Sequence, residues 1–343
     1  MKFNNVLPLA IVALLVGCDA LSPDEKLNKE LPNLSIQELL PKPVANQYCK
    51  PGMDSELLYG LGSMQYDEDE RLYGIGRVLI ESKELQMAKN CMIMAAPEYT
   101  RSLCFLAGMV GSRPSPENNR EAFNYLAYAA SKNESCAESG LSDVYIVGKL
   151  DQEQDKTLGM RWLERAARHG DFDSRQDLIS LSSEQGNMPV AYAWARIQDD
   201  AEKIATLKIN MNPGQIAEGD RHYNQLLSQI TSQEVLKQAH RKEQIALHSA
   251  DVYINHPEAF EGMSPVERRA LMASVVDTLS LYPDFTKRQQ LYAYVLIARR
   301  TQSTGPAVDL WQNPAVRAVL NDKNMNIDEV VAKALAILAK NSK

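Results

Sequence analysis

The chain has 343 residues, 37 of them Lys or Arg and 44 Asp or Glu, for a formal net charge of −7 at neutral pH. A mildly acidic chain has no electrostatic footprint for nucleic acid, which excludes that class of partner. Hydrophobic content of 45% with 24% charged residues excludes wholesale disorder, and five cysteines are too few for a disulfide-dense miniature scaffold.

Residues 1–17 read as a secretory signal: a basic start at Lys2, an apolar run from Val6 to Val16, and the small Gly17 before Cys18. The run is too short to span a bilayer, which needs about 20 apolar residues. Leu15-Val16-Gly17-Cys18 resembles the bacterial lipobox. That resemblance implies cleavage before Cys18, diacylation of its sulfur and acylation of its new amine by palmitate-like chains. Asp19 resembles the enteric signal for retention in the inner membrane. The expected location is the periplasmic face of a bacterial membrane, lipid-anchored, with the inner membrane favoured over the outer.

Residues 18–48 carry Pro23, Pro32, Pro41 and Pro43, a density that blocks long helices and favours extended chain. A lipidated tether is expected here, with at most a short turn where Ser35-Ile36-Gln37-Glu38 reads as a capping box. At about 3.3 Å per residue it would hold the folded body tens of ångströms from the lipid.

A repeat body is expected over 49–200. The pattern is an acidic or amide residue, a small residue four later, a large one three after that, then paired alanines. Copies begin at Glu84, Asn118, Asp155 and Asn187, at intervals of 34, 37 and 32 residues. They place Ala88, Cys91 and Ala95-Ala96; Ala122, Tyr125 and Ala129-Ala130; Gly159, Trp162 and Ala166-Ala167; and Ala191 and Trp194 in register. These offsets put small and large residues on one helix face, so that a neighbouring helix approaches the alanines and the aromatic fills the gap. A second helix precedes a copy, seen in Ala137, Leu141, Tyr145 and Gly148 and in Thr100, Cys104, Gly108 and Gly111, and Gly148 and Gly170 stand where helices take a left-handed stop. The aromatics read as core before ligand groove. No strand-type alternation occurs.

The third copy, Asp155-x-x-x-Gly159-x-x-Trp162-x-x-x-Ala166-Ala167-x-x-Gly170, resembles the Sel1-like repeat, a relative of the tetratricopeptide repeat. The resemblance implies an all-α fold, an α-solenoid of antiparallel helical hairpins used for protein–protein contacts in bacterial envelope assemblies. Gly159 stands where that family has alanine, a replacement expected to weaken the helix by about 1 kcal/mol.

Residues 201–343 stay helical in style and read as a continuation or cap of the solenoid. Asn212-Pro213 opens a helix expected to run toward His248, and Ser264-Pro265-Val266-Glu267 is a capping signature. Leu291-Tyr292-Ala293-Tyr294 echoes Ala191-Tyr192-Ala193-Trp194, and Ile327 to Ala339 makes a closing amphipathic helix.

With Cys18 assigned to lipid, Cys49, Cys91, Cys104 and Cys136 remain, an even number suited to two disulfides in an oxidising compartment. Three pairings exist. Cys91 and Cys104 lie about equally far from the Ala96-Pro97 turn, so Cys91–Cys104 is the leading pair, with Cys49–Cys136 by elimination. No Cys-x-x-Cys or His-x-x-x-His spacing suggests a metal, and no motif suggests a catalytic residue or a cofactor. His240 and His248 share a helix face as solvated side chains, and His169 suits a helix C-terminus. Tyr59-Gly60-Leu61-Gly62 and Tyr73-Gly74-Ile75-Gly76 lack the third glycine of a phosphate cradle. The run Asp67-Glu68-Asp69-Glu70 reads as a solvated helix start rather than a calcium site.

The function expected is therefore non-enzymatic: a membrane-tethered scaffold or adaptor that docks an envelope protein in exopolysaccharide export, cell-wall assembly or secretion. The alternatives are a regulator or inhibitor of an envelope enzyme, and a ligand-binding or enzymatic protein with its site in 201–343.

Overall fold

A computed structural model describes residues 22–50, 68–282, 285, 287–301 and 310–341. Cys18, Asp19, the Gly-x-Gly of 60–62 and Asp67 lie outside the described residues. Among those described, all regular structure is helical.

Eight helices pack as four successive pairs. α3 (Glu68–Glu81) packs on α4 (Leu85–Ala95), α5 (Ser102–Gly111) on α6 (Pro116–Ser131), α7 (Ser135–Val147) on α8 (Lys156–Arg168), and α9 (Phe172–Glu184) on α10 (Met188–Gln198). Neighbouring pairs meet through α4 and α5, α6 and α7, and α8 and α9. Ala88, Ala122, Ala129, Ala130, Ala166 and Ala167 are fully buried where the helices touch, and Tyr125, Trp162 and Trp194 fill the space between them. Gly148 and Gly170 take positive φ, +79° and +101°, a conformation that an L side chain resists. Asp155 caps α8 through Leu158 N–H, whereas the second copy is capped by Ser115 and its Asn118 lies one turn inside α6.

Gly159 is not the weak point that its departure from alanine suggests. A Cβ there would fall 2.6 Å from Ile146 Cγ1 and 2.9 Å from Ile146 N, so the missing side chain is what lets α8 approach α7.

The proline-rich segment is docked rather than free. It forms α1 (Pro23–Glu30), capped by a Ser22/Glu25 box, and α2 (Ile36–Leu39), and it buries Leu27 and Cys49 in the same core as the first three helix pairs. Proline stands at the first position of α1, where its missing N–H costs no hydrogen bond.

Beyond α10, α11 (Ala201–Ile209) and α12 (Pro213–Leu227) turn back onto α10. The expected single helix from Pro213 to His248 is broken at residues 228–232, where Ser232 caps a new helix, α13 (Gln233–Asn255), through Val235 N–H. This helix is about 34 Å long at 1.5 Å per residue, and it does not extend the stack. It starts at α8, where Thr231 N–H donates to the Arg168 carbonyl, and returns to pack along α3. Residues 237–242 are exposed, so the middle of α13 is a strut between two anchored ends. At the far end Gly74 admits the contact: a Cβ would lie 2.5 Å from the Ala246 carbonyl oxygen.

α14 (Pro265–Leu279), α15 (Arg288–Thr301), α16 (Pro314–Leu320) and α17 (Ile327–Asn341) enclose a separate core around Met272, Val295, Ile297, Trp311 and Ala334. This C-terminal unit sits beside the first helix pair, not after the fourth. Glu70, expected as part of a solvated run, is buried and pairs with Arg269 at 2.9 Å.

Candidate functional site

Three arginines of α8 hold the N-terminal segment. Arg168 donates to both oxygens of Asp24 (2.6 and 3.1 Å), Arg165 to Asn28 Oδ1 (2.7 Å), and Arg161 pairs with Glu30 at 3.4 Å. The pairing order makes α1 antiparallel to α8 and brings the N-terminus of α1 to the C-terminal end of α8. Beneath this contact Arg165 Nε lies 2.7 Å from Glu138 Oε1, with both side chains fully buried. Arg165 Nη2 also donates to the Ala130 carbonyl and to Asn133 Oδ1. His169 Nδ1 is 2.8 Å from the Glu138 carboxylate, and its Nε2 is 3.8 Å from Asp24. Burial works against ionisation of Asp24, but the hydrogen bond and charge of Arg168, with Arg165 behind it, hold its carboxyl below the ordinary value.

The disulfides are Cys49–Cys91 and Cys104–Cys136, with Cα–Cα distances of 5.5 and 6.2 Å. This corrects the expected Cys91–Cys104 and Cys49–Cys136 pairing. α4 and α5 are not the two arms of one pair: α4 turns its other face to α3 and α5 to α6. Cys91 therefore looks toward the docked N-terminal segment, where Asn46 also reaches α4 by donating to the Met87 carbonyl, and Cys104 looks toward the start of α7.

At the other end of the strut, Glu243 Oε1 accepts from Tyr73 OH (2.5 Å) and pairs with Arg77 and Arg101, both at 3.3 Å. Burial, followed by the charge of Glu243, pushes the Tyr73 phenol up to about 12.

Two concavities among the described residues exceed 500 Å³. One, of about 620 Å³, lies between α13, α14 and the start of α15. Val276, Leu279 and Leu291 give it an apolar lining, and Lys237, His240, Arg241, His248, Lys287 and Arg288 line it together with the acidic Asp277. Arg241 is held by Asp277, and Arg288 by Asp251 and Glu81. His248 is half-buried, and desolvation lowers its pKa despite the nearby Asp251. The two histidines are only part of this face: Lys237, Arg241, Gln244 and His248 recur along α13 at helical spacing, the signal in the sequence that marks it. The second concavity, of about 560 Å³, lies on the repeat pairs and is lined by Ile80, Leu85, Lys89, Phe105, Met109 and Asn118. Leu85 is 43% exposed there, and a Cβ on Gly108 would meet nothing within 4 Å.

The repeat aromatics do not line either opening. Tyr125, Trp162 and Trp194 are internal, and Tyr145 packs edge-on to Phe123 at 6.4 Å. No group of three or more His, Cys, Asp or Glu residues is arranged to hold a metal among the described residues, and no described helix is long and apolar enough to cross a membrane. Compared with protein-family models, curated proteins and solved structures, the chain matches none.

Proposed function

We propose that the protein is a lipid-anchored scaffold of the bacterial periplasm, built on a Sel1-like solenoid, that docks another envelope protein in polysaccharide export, cell-wall assembly or secretion. The observation that carries this reading is the groove on the repeat pairs. The repeats satisfy their own aromatics internally, yet leave Leu85, Phe105 and Met109 around an opening over which Gly108 presents bare backbone. An apolar opening with polar edges of Gln86, Lys89 and Asn118 suits a partner segment better than a reacting small molecule. The lipobox-like residues before Cys18 support the anchor, and two disulfides suit an oxidising compartment. Crosslinking in intact membranes tests the reading. Gly108→Gln, which fills the groove, should lose partners that the native chain captures, while Cys18→Ser should release the protein from the membrane. Equal capture by native and Gly108→Gln proteins would overturn the groove as the docking site.

A second reading, ligand binding in 201–343, is favoured by the cleft between α13 and α15. Cations over an apolar floor suit a small carboxylate or phosphate ester with an apolar body. Isothermal titration with a medium-chain fatty acid and with its alkyl phosphate tests it, and heats abolished in Lys237→Ala/Lys287→Ala would support it.

A further inference from the structure

The position at which α1 begins dictates which part of this molecule meets lipid. Ser22 caps α1, and Cys18 is four residues earlier, so the acylated cysteine lies within about 14 Å of Ser22 even with the chain fully extended. The docked segment therefore leaves almost no spacer, and the bilayer must lie against whatever surrounds Ser22.

That surrounding is well defined. Asp24 sits on Arg168 and near His169, at the C-terminal end of α8. The same Arg168 accepts Thr231 N–H through its carbonyl, and Leu236 of α13 packs over Gly170. Two large apolar side chains flank these contacts: Phe172, at the first position of α9, is 63% exposed, and Val235, in the first turn of α13, is 54% exposed. Leu227, four residues before Thr231, is 48% exposed. Single exposed apolar residues are common on any surface, but these three each lie four residues along the chain from the Arg168–Thr231 contact, where a lipidated chain would bring an apolar solvent within reach.

We infer that Phe172, Val235 and Leu227 form a membrane-resting corner that seats the acylated protein on the bilayer by shallow insertion. The inference rests on the lipid-anchor reading above. It orients the molecule: the α8–α9 turn and the start of α13 face lipid, and the opposite ends of the helix pairs face away. Asp171 and Asp173 flank Phe172, so seating depends on apolar contact and not on attraction to anionic headgroups.

The three native tryptophans are buried (1%, 3% and 1% exposed), so an added surface tryptophan reports its own surroundings. The full acylated chain, reconstituted in phosphatidylcholine vesicles brominated near the top of the acyl chains, should lose most of the added emission in F172W and in V235W. Val147 is 56% exposed at the end of α7, a hairpin length from the corner, and V147W should keep its emission. Equal quenching in all three variants, or in none while mass spectrometry shows an acylated Cys18, would overturn the orientation and leave the anchor standing. An unmodified Cys18 would overturn the anchor and the corner with it. A quenching pattern that weakens with added salt would also count against the corner, since apolar insertion is not screened.

Discussion

Arg165 and Glu138 form an ion pair in which neither side chain touches solvent, and this pair sits directly beneath the helix that docks the N-terminal segment. Burying a charge is tolerable only when its partners stay in place. Glu138→Gln leaves the guanidinium short of a counter-charge and should cost about 3–5 kcal/mol in denaturant unfolding. The paired replacement Arg165→Met/Glu138→Leu should recover only part of that loss, because it also leaves the Ala130 carbonyl, Asn133 and His169 without these partners. Equal stability of Glu138→Gln and native protein would show that the pair is not held as described.

The disulfide pattern is directly checkable. Peptide mapping without reduction should recover Cys49 linked to Cys91 and Cys104 linked to Cys136. Cys49→Ser/Cys91→Ser should lose about 2–4 kcal/mol by relieving the constraint on the unfolded chain. It should also expose residues 30–50 to proteolysis before the repeat pairs are cut.

Asp24 predicts a pH dependence with a definite sign. Its folded pKa lies below the ordinary 3.8, so the stability it contributes is present above that value and lost as pH falls through the lower folded pKa. Amide exchange at Leu27, normalised to intrinsic rates, should stay slow at pH 5 and accelerate below about pH 4. In Asp24→Asn the exchange should be faster at pH 7 and nearly flat across that range.

Two glycines separate packing from propensity. Gly159→Ala, which restores the residue the repeat pattern favours, should destabilise by about 1–3 kcal/mol, because its Cβ meets Ile146 at backbone distance. Gly108→Ala, open on every side, should stabilise by about 0.5–1 kcal/mol. Thermal unfolding of the two variants side by side decides the matter, and a stabilised Gly159→Ala would refute the close approach of α7 and α8.

The helices of the repeat body were legible because their information is local. Alanines and aromatics at offsets of four, seven and eleven residues mark a buried face, and glycines at 148 and 170 mark left-handed stops whatever the rest of the chain does. The capping residues Asn212 and Ser264 likewise announce α12 and α14, since a side-chain oxygen and the backbone amides it satisfies lie within one turn, whereas the Ser22 cap of α1 is obscured by the prolines around it.

Relations between distant residues have no local signature. Glu243 pairs with Arg77 and Arg101 across sequence separations of 166 and 142, and that contact decides that α13 returns to the first pair instead of extending the last. Which face of α4 looks toward Cys49 decides the disulfides, and counting residues from a turn cannot supply it. The prolines of the opening segment, read alone, exclude a long helix but say nothing of where the chain lies. Arg161, Arg165 and Arg168, a turn apart on α8, draw that segment down onto the fold. The acidic, mostly helical character of the 343 residues was set by composition and periodicity. Where the N-terminal segment docks was decided only when Arg165 and Arg168 of α8 found partners more than a hundred residues away.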